Sequence, residues 1–119
     1  MMPKILAVED EELVRLLVVE TLENAGYSVR EAGDGEAALA ILATEPDIGL
    51  IVTDIRMPRL DGYSLASAAR RDRPQIALLF MTGYAGNAAP PDLAAVSMLR
   101  KPFDPDDLLA AVGRLLPAA

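Results

Sequence analysis

Apolar residues along the chain fall into short runs that alternate with longer stretches of helical spacing. Four of the runs are rich in aliphatic residues, which is typical of buried strands in a parallel sheet, whereas residues 27–31 alternate between apolar and polar positions. The predicted strands cover residues 4–8, 27–31, 48–53, 75–81 and 96–100. Between them, apolar residues recur every three or four positions and predict amphipathic helices. Strands that alternate with helices in this way predict a doubly wound α/β fold with a five-stranded parallel sheet.

The first predicted helix carries apolar residues on more than one face. One set shares a stripe that we expect to be buried: Val14, Leu17, Val18, Thr21, Leu22 and Ala25. Leu13, Leu16 and Val19 lie off this stripe, and Leu16 lies nearly opposite to it. Gly26 follows the stripe, at a position that is typical of a C-terminal helix cap.

Capping residues mark the ends of the other helices. Asp34 is predicted to begin the second helix, the third covers residues 62–71, and Asp104 is predicted to begin the last one. Residues 84–95 contain glycine and two successive prolines, which permit only a short helix near residues 92–95. The fourth helix of the alternating pattern is therefore predicted to be shortened or irregular.

Composition narrows the class of protein. With 119 residues, of which 52% are apolar, the chain has room for one packed domain over residues 1–119 and no room for a separate output module. The net charge of −7 argues against a surface for nucleic acid or anionic membrane. No apolar run is long enough to span a bilayer, and the opening Met-Met-Pro-Lys leads into a strand rather than a signal sequence. We therefore expect a cytoplasmic protein.

The chain contains no cysteine and no histidine. The absence of cysteine excludes disulfides, thiolate nucleophiles and the usual zinc sites. The absence of histidine excludes the commonest general base. Any chemistry must therefore use carboxylates, hydroxyls, lysine and a hard metal ion.

Polar residues stand at the points where the predicted strands end. The first strand leads into Glu9 and Asp10, the third into Asp54, the fourth into Thr82 and the fifth into Lys101. The carboxyl ends of parallel strands meet at one edge of the sheet, so we expect these side chains to converge. Three neighbouring carboxylates repel one another and favour a bound cation, and oxygen-only ligands suit Mg²⁺. Such a site suits phosphoryl transfer, with Asp54 as the nucleophile.

Each of these residues also has a purely structural explanation. Glu9 and Asp10 could form a solvated helix start, because acids are favoured at that end of a helix. Asp54 could cap a turn, Thr82 could stabilise a turn, and Lys101 could be an ordinary solvated lysine. Their joint occurrence at strand ends is what favours a functional site.

Four motifs, taken together and in order, resemble the receiver domain of two-component response regulators, the CheY-like family. They are Glu9-Asp10, Asp54 within D-x-x-M-P-x-x-D-G, Thr82-Gly83 and Lys101-Pro102-Phe103. The resemblance covers the whole chain and implies a flavodoxin-like sheet with strand order 2-1-3-4-5. It also implies a phosphoacceptor in a two-component or phosphorelay pathway. Such a domain signals through protein contacts and catalyses only its own phosphorylation and dephosphorylation.

The resemblance implies a role for each motif residue. Asp54 would accept the phosphoryl group from a histidine of a sensor kinase or of a histidine phosphotransferase. The ligands of Mg²⁺ would be Glu9, Asp10, Asp54 and the backbone carbonyl of Arg56. Thr82 would hydrogen-bond the phosphoryl group, Lys101 would pair with it, and the peptide bond before Pro102 would be cis. Met57-Pro58 and Asp61-Gly62 are interpreted as structural parts of the loop that places the aspartate.

The chain departs from the family pattern at the residues that form the switch. Family members usually carry an aromatic residue three positions before the lysine, where this chain has Met98. Methionine is flexible and cannot make a phenolic hydrogen bond, so Thr82 lacks the usual aromatic partner. We expect Tyr84 to take part in the switch instead; the alternative is that it is an ordinary loop aromatic.

The leucines that lie off the buried stripe of the first helix suggest where a partner binds. Isolated surface leucines need no functional explanation. Leu13, Leu16 and Val19, however, belong to a face beside the acidic edge of the sheet, and we expect this face to dock the partner's histidine-bearing helices. A downstream protein target is the second expected partner.

Other functions share parts of the pattern. A phosphatase of haloacid-dehalogenase type also uses an aspartyl nucleophile and Mg²⁺, but it needs a second aspartate where this chain has Arg56. A flavodoxin-like cofactor binder needs a Ser/Thr/Gly-rich loop after the first strand, where Glu9 and Asp10 would repel phosphate. A receiver fold that docks partners without being phosphorylated is the remaining alternative.

Overall fold

The computed structural model describes residues 3–83, 93 and 96–116, and these residues form five strands and four helices. The strands are β1 (Lys4–Val8), β2 (Val29–Ala32), β3 (Ile48–Asp54), β4 (Ala77–Thr82) and β5 (Ser97–Arg100). The helices are α1 (Glu12–Asn24), α2 (Gly35–Thr44), α3 (Gly62–Asp72) and α4 (Pro105–Leu115). The short or irregular helix predicted near residues 92–95 falls almost entirely outside the described residues. None of the described helices has both the length and the apolar character that a bilayer crossing requires.

The five strands form one parallel sheet in the order β2-β1-β3-β4-β5. The predicted α/β class and strand order are therefore confirmed. The register places Val8 opposite Thr53, Asp54 opposite Met81 and Thr82 opposite Arg100. Because the strands are parallel and in step at these positions, their carboxyl ends lie along one edge of the sheet.

Helices cover both faces of the sheet, and each face has its own apolar cluster. Successive residues of β1 point to opposite faces: Leu6 and Val8 belong to the cluster under α2 and α3, whereas Ile5 and Ala7 belong to the cluster under α1 and α4. Phe80 is fully buried in the first cluster and makes an edge-to-face contact with Tyr63. Burial of each aliphatic side chain stabilises the folded state by roughly 1.5–3 kcal/mol. The well-packed sheet therefore supports the residues at its edge.

Side chains cap three of the described helices, and two of these caps, Asp34 and Asp104, were predicted from the sequence. Asp34 accepts a hydrogen bond from the Ala37 N–H at 2.8 Å and so begins α2. Asp61 accepts from the Ser64 N–H at 2.8 Å and begins α3. At the start of α4, Asp104 and Asp107 each accept a hydrogen bond from the other's backbone N–H, which forms a capping box. Gly26 after α1 has a φ of +99°, as expected for a glycine that ends a helix.

The predicted burial of α1 was partly wrong. Leu17 was expected to be buried but is 49% exposed, and Val19 was expected to lie off the stripe but is 7% exposed. The buried face is centred on Val18 and Leu22 and extends to Val19, because α1 packs against β1 and β2 as well as α4. Leu13 and Leu16 are exposed, as predicted.

Two strands begin two residues later than the sequence predicted. β2 begins at Val29 rather than at residue 27, because the Tyr27 N–H donates to the Leu22 carbonyl and still belongs to the end of α1. β4 begins at Ala77 rather than at residue 75, because the Ile76 N–H closes a turn on the Arg73 carbonyl. Neither difference moves the residues at the carboxyl edge of the sheet.

Candidate functional site

Four strand ends bring the predicted site residues to the carboxyl edge of the sheet. Glu9 and Asp10 follow β1, Asp54 is the last residue of β3, and Thr82 is the last residue of β4. Lys101 follows β5, and its N–H donates to the Thr82 carbonyl at 2.7 Å. These short connections leave the five side chains little freedom to separate.

Three carboxylates form the centre of the site. One oxygen from each of Glu9, Asp10 and Asp54 lies within 4.8 Å of the other two. Glu9 is 1% exposed, the Asp54 side chain is 14% exposed, and Asp10 opens to solvent. Oxygen donors at this separation can share one divalent cation, and a partly open site leaves room for the waters that Mg²⁺ retains. The residues present therefore fit Mg²⁺.

Lys101 joins two of these carboxylates. Its Nζ lies 2.8 Å from Glu9 Oε1 and 3.4 Å from Asp54 Oδ2. Burial alone would lower the pKa of Lys101, but the hydrogen bond to Glu9 and the charge of Asp54 together raise it above its usual value. The lysine is therefore charged at neutral pH and offsets part of the negative charge on the two carboxylates.

Asp10 has a different electrostatic environment. Partial desolvation of its carboxyl raises the pKa of Asp10, and the neighbouring Glu9 raises it further. A raised carboxyl pKa means that the folded protein disfavours the negative charge at this position. The cluster is therefore short of positive charge, even with Lys101 in place.

A cleft of about 290 Å³ opens between the strand ends. Its lining is Asp10, Glu11, Asp54, Ile55, Arg56, Thr82, Gly83 and Lys101. The predicted residues Arg56 and Thr82 therefore lie at the same cleft as the carboxylates and the lysine. The cleft gives a small anionic group access to the Asp54 carboxylate from the solvent side.

The loop after β3 holds Asp54 in place. Asp54 Oδ1 accepts a hydrogen bond from the Ile55 N–H at 2.9 Å, and the Gly62 N–H donates to the Ile55 carbonyl at 2.8 Å. The Gly62 Cα lies so close to the Asp54 carbonyl that a side chain there would collide with it. Asp61 caps the following helix. The interpretation of Asp61-Gly62 as loop-shaping residues is confirmed.

Of the predicted switch residues, Met98 lies away from the cleft. Met98 lies on β5 opposite Phe80, is 39% exposed, and does not line the cleft. Tyr84 lies outside the described residues. The peptide bond between Lys101 and Pro102 is cis, as expected from the resemblance.

The sequence analysis missed two residues that contact this site. The Glu11 N–H donates to Glu9 Oε2 at 3.2 Å, and Glu11 also lines the cleft. Arg15 donates from Nη1 to the Glu9 carbonyl at 2.7 Å. A basic residue three positions after the last of four successive acids was a visible pattern, because that spacing is about one helical turn. Which backbone group it would bind was not visible.

An apolar groove lies beside the acidic cleft. Its volume is about 430 Å³, and its lining is Glu11, Val14, Leu17, Lys101, Pro102 and Phe103. On α1, Leu13 and Leu16 are 80% and 51% exposed. We call the groove and these two leucines together the α1 surface. Its edge touches the cleft, because Glu11 and Lys101 line both.

Comparison with known proteins places these features in a family. Residues 5–113 match the model of the response regulator receiver domain. The chain is 39% identical to the response regulator receiver protein CpdR of Brucella abortus (strain 2308), over 99% of this chain and 100% of that protein. It is 36% identical to the sensor kinase CckA of the same organism, over 94% of this chain but only 12% of the kinase.

A solved structure agrees with the sequence matches. The chemotaxis protein CheY4 of Vibrio cholerae superimposes with a TM-score of 0.89 and 32% identity, over 98% of this chain and 100% of that chain. The acidic cluster, the lysine and the strand order thus occur in a chain whose sequence and fold both match the same family. The chain belongs to the response regulator receiver domain family of two-component signalling.

Proposed function

We propose that this domain is a phosphoacceptor in which Asp54 takes a phosphoryl group from a phosphohistidine on a partner protein. The observation that carries the proposal is the convergence of Glu9, Asp10, Asp54 and Lys101 at one sheet edge in a member of the receiver family. Over residues 1–119 the domain would pass the signal to a downstream target through protein contacts.

The chemical step is a displacement at phosphorus. A carboxylate oxygen of Asp54 forms a bond to phosphorus while the bond between phosphorus and the donor's imidazole nitrogen breaks. The electron pair of that bond stays on the imidazole, which takes up a proton from water. A carboxylate nucleophile has no proton to lose, so the step needs no general base. This is consistent with a chain that has no histidine of its own.

Mg²⁺ would be held by the carboxylates of Glu9, Asp10 and Asp54 and by the backbone carbonyl of Arg56. When bound, it neutralises negative charge on the phosphoryl oxygens. Lys101 lies 3.4 Å from Asp54 Oδ2, so its ammonium group can move from the carboxylate to a phosphoryl oxygen without a large displacement. Thr82 lines the cleft, where its hydroxyl would donate a hydrogen bond to another phosphoryl oxygen.

The same site would hydrolyse its own acyl phosphate. Water reaches the cleft from the solvent side, where Arg56 is exposed. Arg56 and Tyr84 would set the hydrolysis rate by controlling access to the phosphorus atom. With Met98 in place of the usual aromatic, we propose that Tyr84 rather than the residue at position 98 responds to the movement of Thr82.

The proposed partner is a sensor histidine kinase or a histidine phosphotransferase, and its docking site would be the α1 surface. This surface is apolar and directly borders the cleft, so helices bound there would place a histidine near Asp54. A Glu at position 16 would put a charge within the contact. Leu16→Glu should slow transfer from a phosphorylated histidine partner at least tenfold, whereas phosphorylation by acetyl phosphate should be unchanged.

Ala40→Glu is the matched control for this test, because Ala40 is exposed on α2 and lies outside the α1 surface. It adds the same charge and should transfer at the wild-type rate. Equal transfer rates for Leu16→Glu and Ala40→Glu would refute docking at the α1 surface.

The phosphoacceptor proposal itself is tested by incubating the protein with acetyl phosphate and recording its intact mass. One added phosphoryl group should appear with Mg²⁺, and none should appear with a chelator or in Asp54→Asn. Asp61→Asn is the matched control, because it removes a carboxylate from the same loop while asparagine still caps a helix. Incorporation that persists in Asp54→Asn would refute the proposal. If no donor, including a phosphorylated histidine partner, produces an adduct, the domain is a docking module instead.

A further inference from the structure

Arg15 lies on α1 behind the acidic cluster and connects three segments of the chain. Its Nη1 donates to the Glu9 carbonyl at 2.7 Å, and its Nε donates to Glu31 Oε1 at 3.1 Å. Its guanidinium also lies against the Cα of Gly33, where an added Cβ would approach Nη1 to 3.3 Å. The side chain is 19% exposed, so it is held in this position by its surroundings.

The N-cap residue of α1 does not hold the segment that Arg15 contacts. Glu11 occupies the position before α1, but its side chain makes no capping hydrogen bond. Residues 9–12 are four successive acids, which repel one another and the carboxylate of Asp54. A segment with this much like charge tends to move its carboxylates apart unless its backbone is held.

Glu9 is held through both of its backbone groups. Its N–H donates to the Ala32 carbonyl of β2 at 3.2 Å, and its carbonyl accepts from Arg15. Arg15 in turn is paired with Glu31, which precedes Ala32 on β2. Arg15 therefore ties the Glu9 carbonyl to β2, and Asp10 is the next residue along the chain.

We propose that Arg15 is a positioning residue for the cation site. By holding the Glu9 carbonyl it keeps the carboxylates of Glu9 and Asp10 at the spacing that one Mg²⁺ requires. The proposal rests on the proposed function, because it assumes that these carboxylates bind the cation. Arg15 touches neither the cation nor the phosphoryl group in this scheme.

The sign of the effect separates positioning from simple electrostatics. Arg15 is a cation near a cation site, so its charge alone disfavours Mg²⁺, and removing that charge should tighten binding. If Arg15 acts by positioning, its removal should weaken binding instead. The two explanations therefore predict changes in opposite directions for the same variant.

The test measures the dissociation constant of Mg²⁺ by titration calorimetry for the wild type, Arg15→Met and Arg15→Lys. We expect Arg15→Met to bind Mg²⁺ roughly tenfold more weakly, as is usual when a contact behind a ligand is removed. Arg15→Lys keeps the charge but loses the planar fork that bonds Glu9 and Glu31 together, so we expect a smaller loss in the same direction.

Glu31→Gln is the matched control. It removes the charge of the Nε partner but keeps a side-chain oxygen that can accept the Nε hydrogen bond, so the tie to β2 and the bond from Nη1 to the Glu9 carbonyl both remain. Its Mg²⁺ affinity should therefore stay within about threefold of the wild type. Saturating Mg²⁺ should restore phosphoryl incorporation in Arg15→Met, as measured by intact mass, whereas Asp54→Asn should incorporate none at any Mg²⁺ concentration.

Unchanged or tighter Mg²⁺ binding in Arg15→Met overturns the positioning role while leaving the proposed function intact. A wild-type domain that binds no Mg²⁺ overturns both. The melting temperature of each variant without Mg²⁺ completes the test. If Glu31→Gln weakens Mg²⁺ binding as much as Arg15→Met does and both variants lower the melting temperature equally, then Arg15 supports only the fold.

Discussion

The residues of the cleft place like charges close together, and the repulsion between them lowers the stability of the folded domain. Glu9, Asp10 and Asp54 share a site, and Lys101 contacts the carboxylates of Glu9 and Asp54. Desolvation and the neighbouring Glu9 raise the pKa of Asp10. When folding raises the pKa of a carboxyl group, the folded protein loses stability as pH increases through the titration range of that group. At neutral pH the ionised Asp10 therefore destabilises the domain when no cation is bound.

Asp10→Asn should accordingly stabilise the domain in the absence of divalent cations. We expect a small rise in melting temperature at pH 7, of no more than about 3 °C, because Asp10 is exposed and solvent screens much of the repulsion. The further rise that Mg²⁺ gives the wild type should be lost in the variant, because a ligand has been removed. Glu20→Gln, at an exposed position on α1, removes the same charge and should change neither value. A metal-free Asp10→Asn that melts below the wild type would contradict this explanation.

Two glycines test how tightly the loop after β3 is built. Gly62→Ala should lower the free energy of unfolding by about 1–3 kcal/mol, because the new methyl group collides with the Asp54 carbonyl. Gly113→Ala should raise it by about 0.5–1 kcal/mol, because this helical position has open space around it. Chemical denaturation measures both values. Equal effects of the two substitutions would show that the loop relaxes freely around Gly62.

Capping residues that the sequence predicted fix where helices begin, and the stabilisation by one of these caps depends on pH. The hydrogen bond from Ala37 lowers the pKa of Asp34, and the ion pair with Arg59 lowers it further. Because the pKa of Asp34 is lowered in the folded state, its carboxylate stabilises the fold above the ordinary value of 3.8. This stabilisation is lost as pH falls through the folded-state pKa.

Asp34→Asn should therefore be less stable than the wild type at pH 7, because asparagine still caps α2 but cannot pair with Arg59. The difference in melting temperature should shrink as pH falls below about 4 and should vanish once Asp34 is protonated in both states. Thermal unfolding from pH 7 to pH 3 measures this. A difference that stays constant over this range would show that the charge of Asp34 has no part in the stability of α2.

Helix α1 shows where sequence reasoning reaches its limit. Periodicity identified an apolar face but not its centre, because Leu17 and Val19 flank Val18 almost symmetrically on a helical wheel. The choice between them depends on α1 packing against β1, β2 and α4 together. The Arg15 contact was hidden for a similar reason: a bond from a side chain to a distant backbone carbonyl is set by tertiary placement, which no local pattern encodes.

At the scale of the whole molecule, the parallel sheet made the site predictable. The strands that lead into the site residues were recognisable as apolar runs, and parallel strands have their carboxyl ends on one side. Glu9, Asp54 and Lys101 were therefore expected to meet before their distances were known. The 2.8 Å and 3.4 Å contacts of Lys101 confirm that they do. The switch could not be derived in the same way, because the segment around Tyr84 carries no such apolar run. Tyr84 and most of the segment up to β5 also lie outside the described residues.

The most direct test of the account is to identify which residue carries the phosphoryl group. The protein is treated with acetyl phosphate and Mg²⁺ and then with borohydride, which reduces an aspartyl phosphate to homoserine, and peptide mass spectrometry locates the change. We expect homoserine at position 54, only when Mg²⁺ is present, and an intact aspartate at positions 10 and 61. Homoserine at another acidic residue, or equal labelling without Mg²⁺, would contradict it.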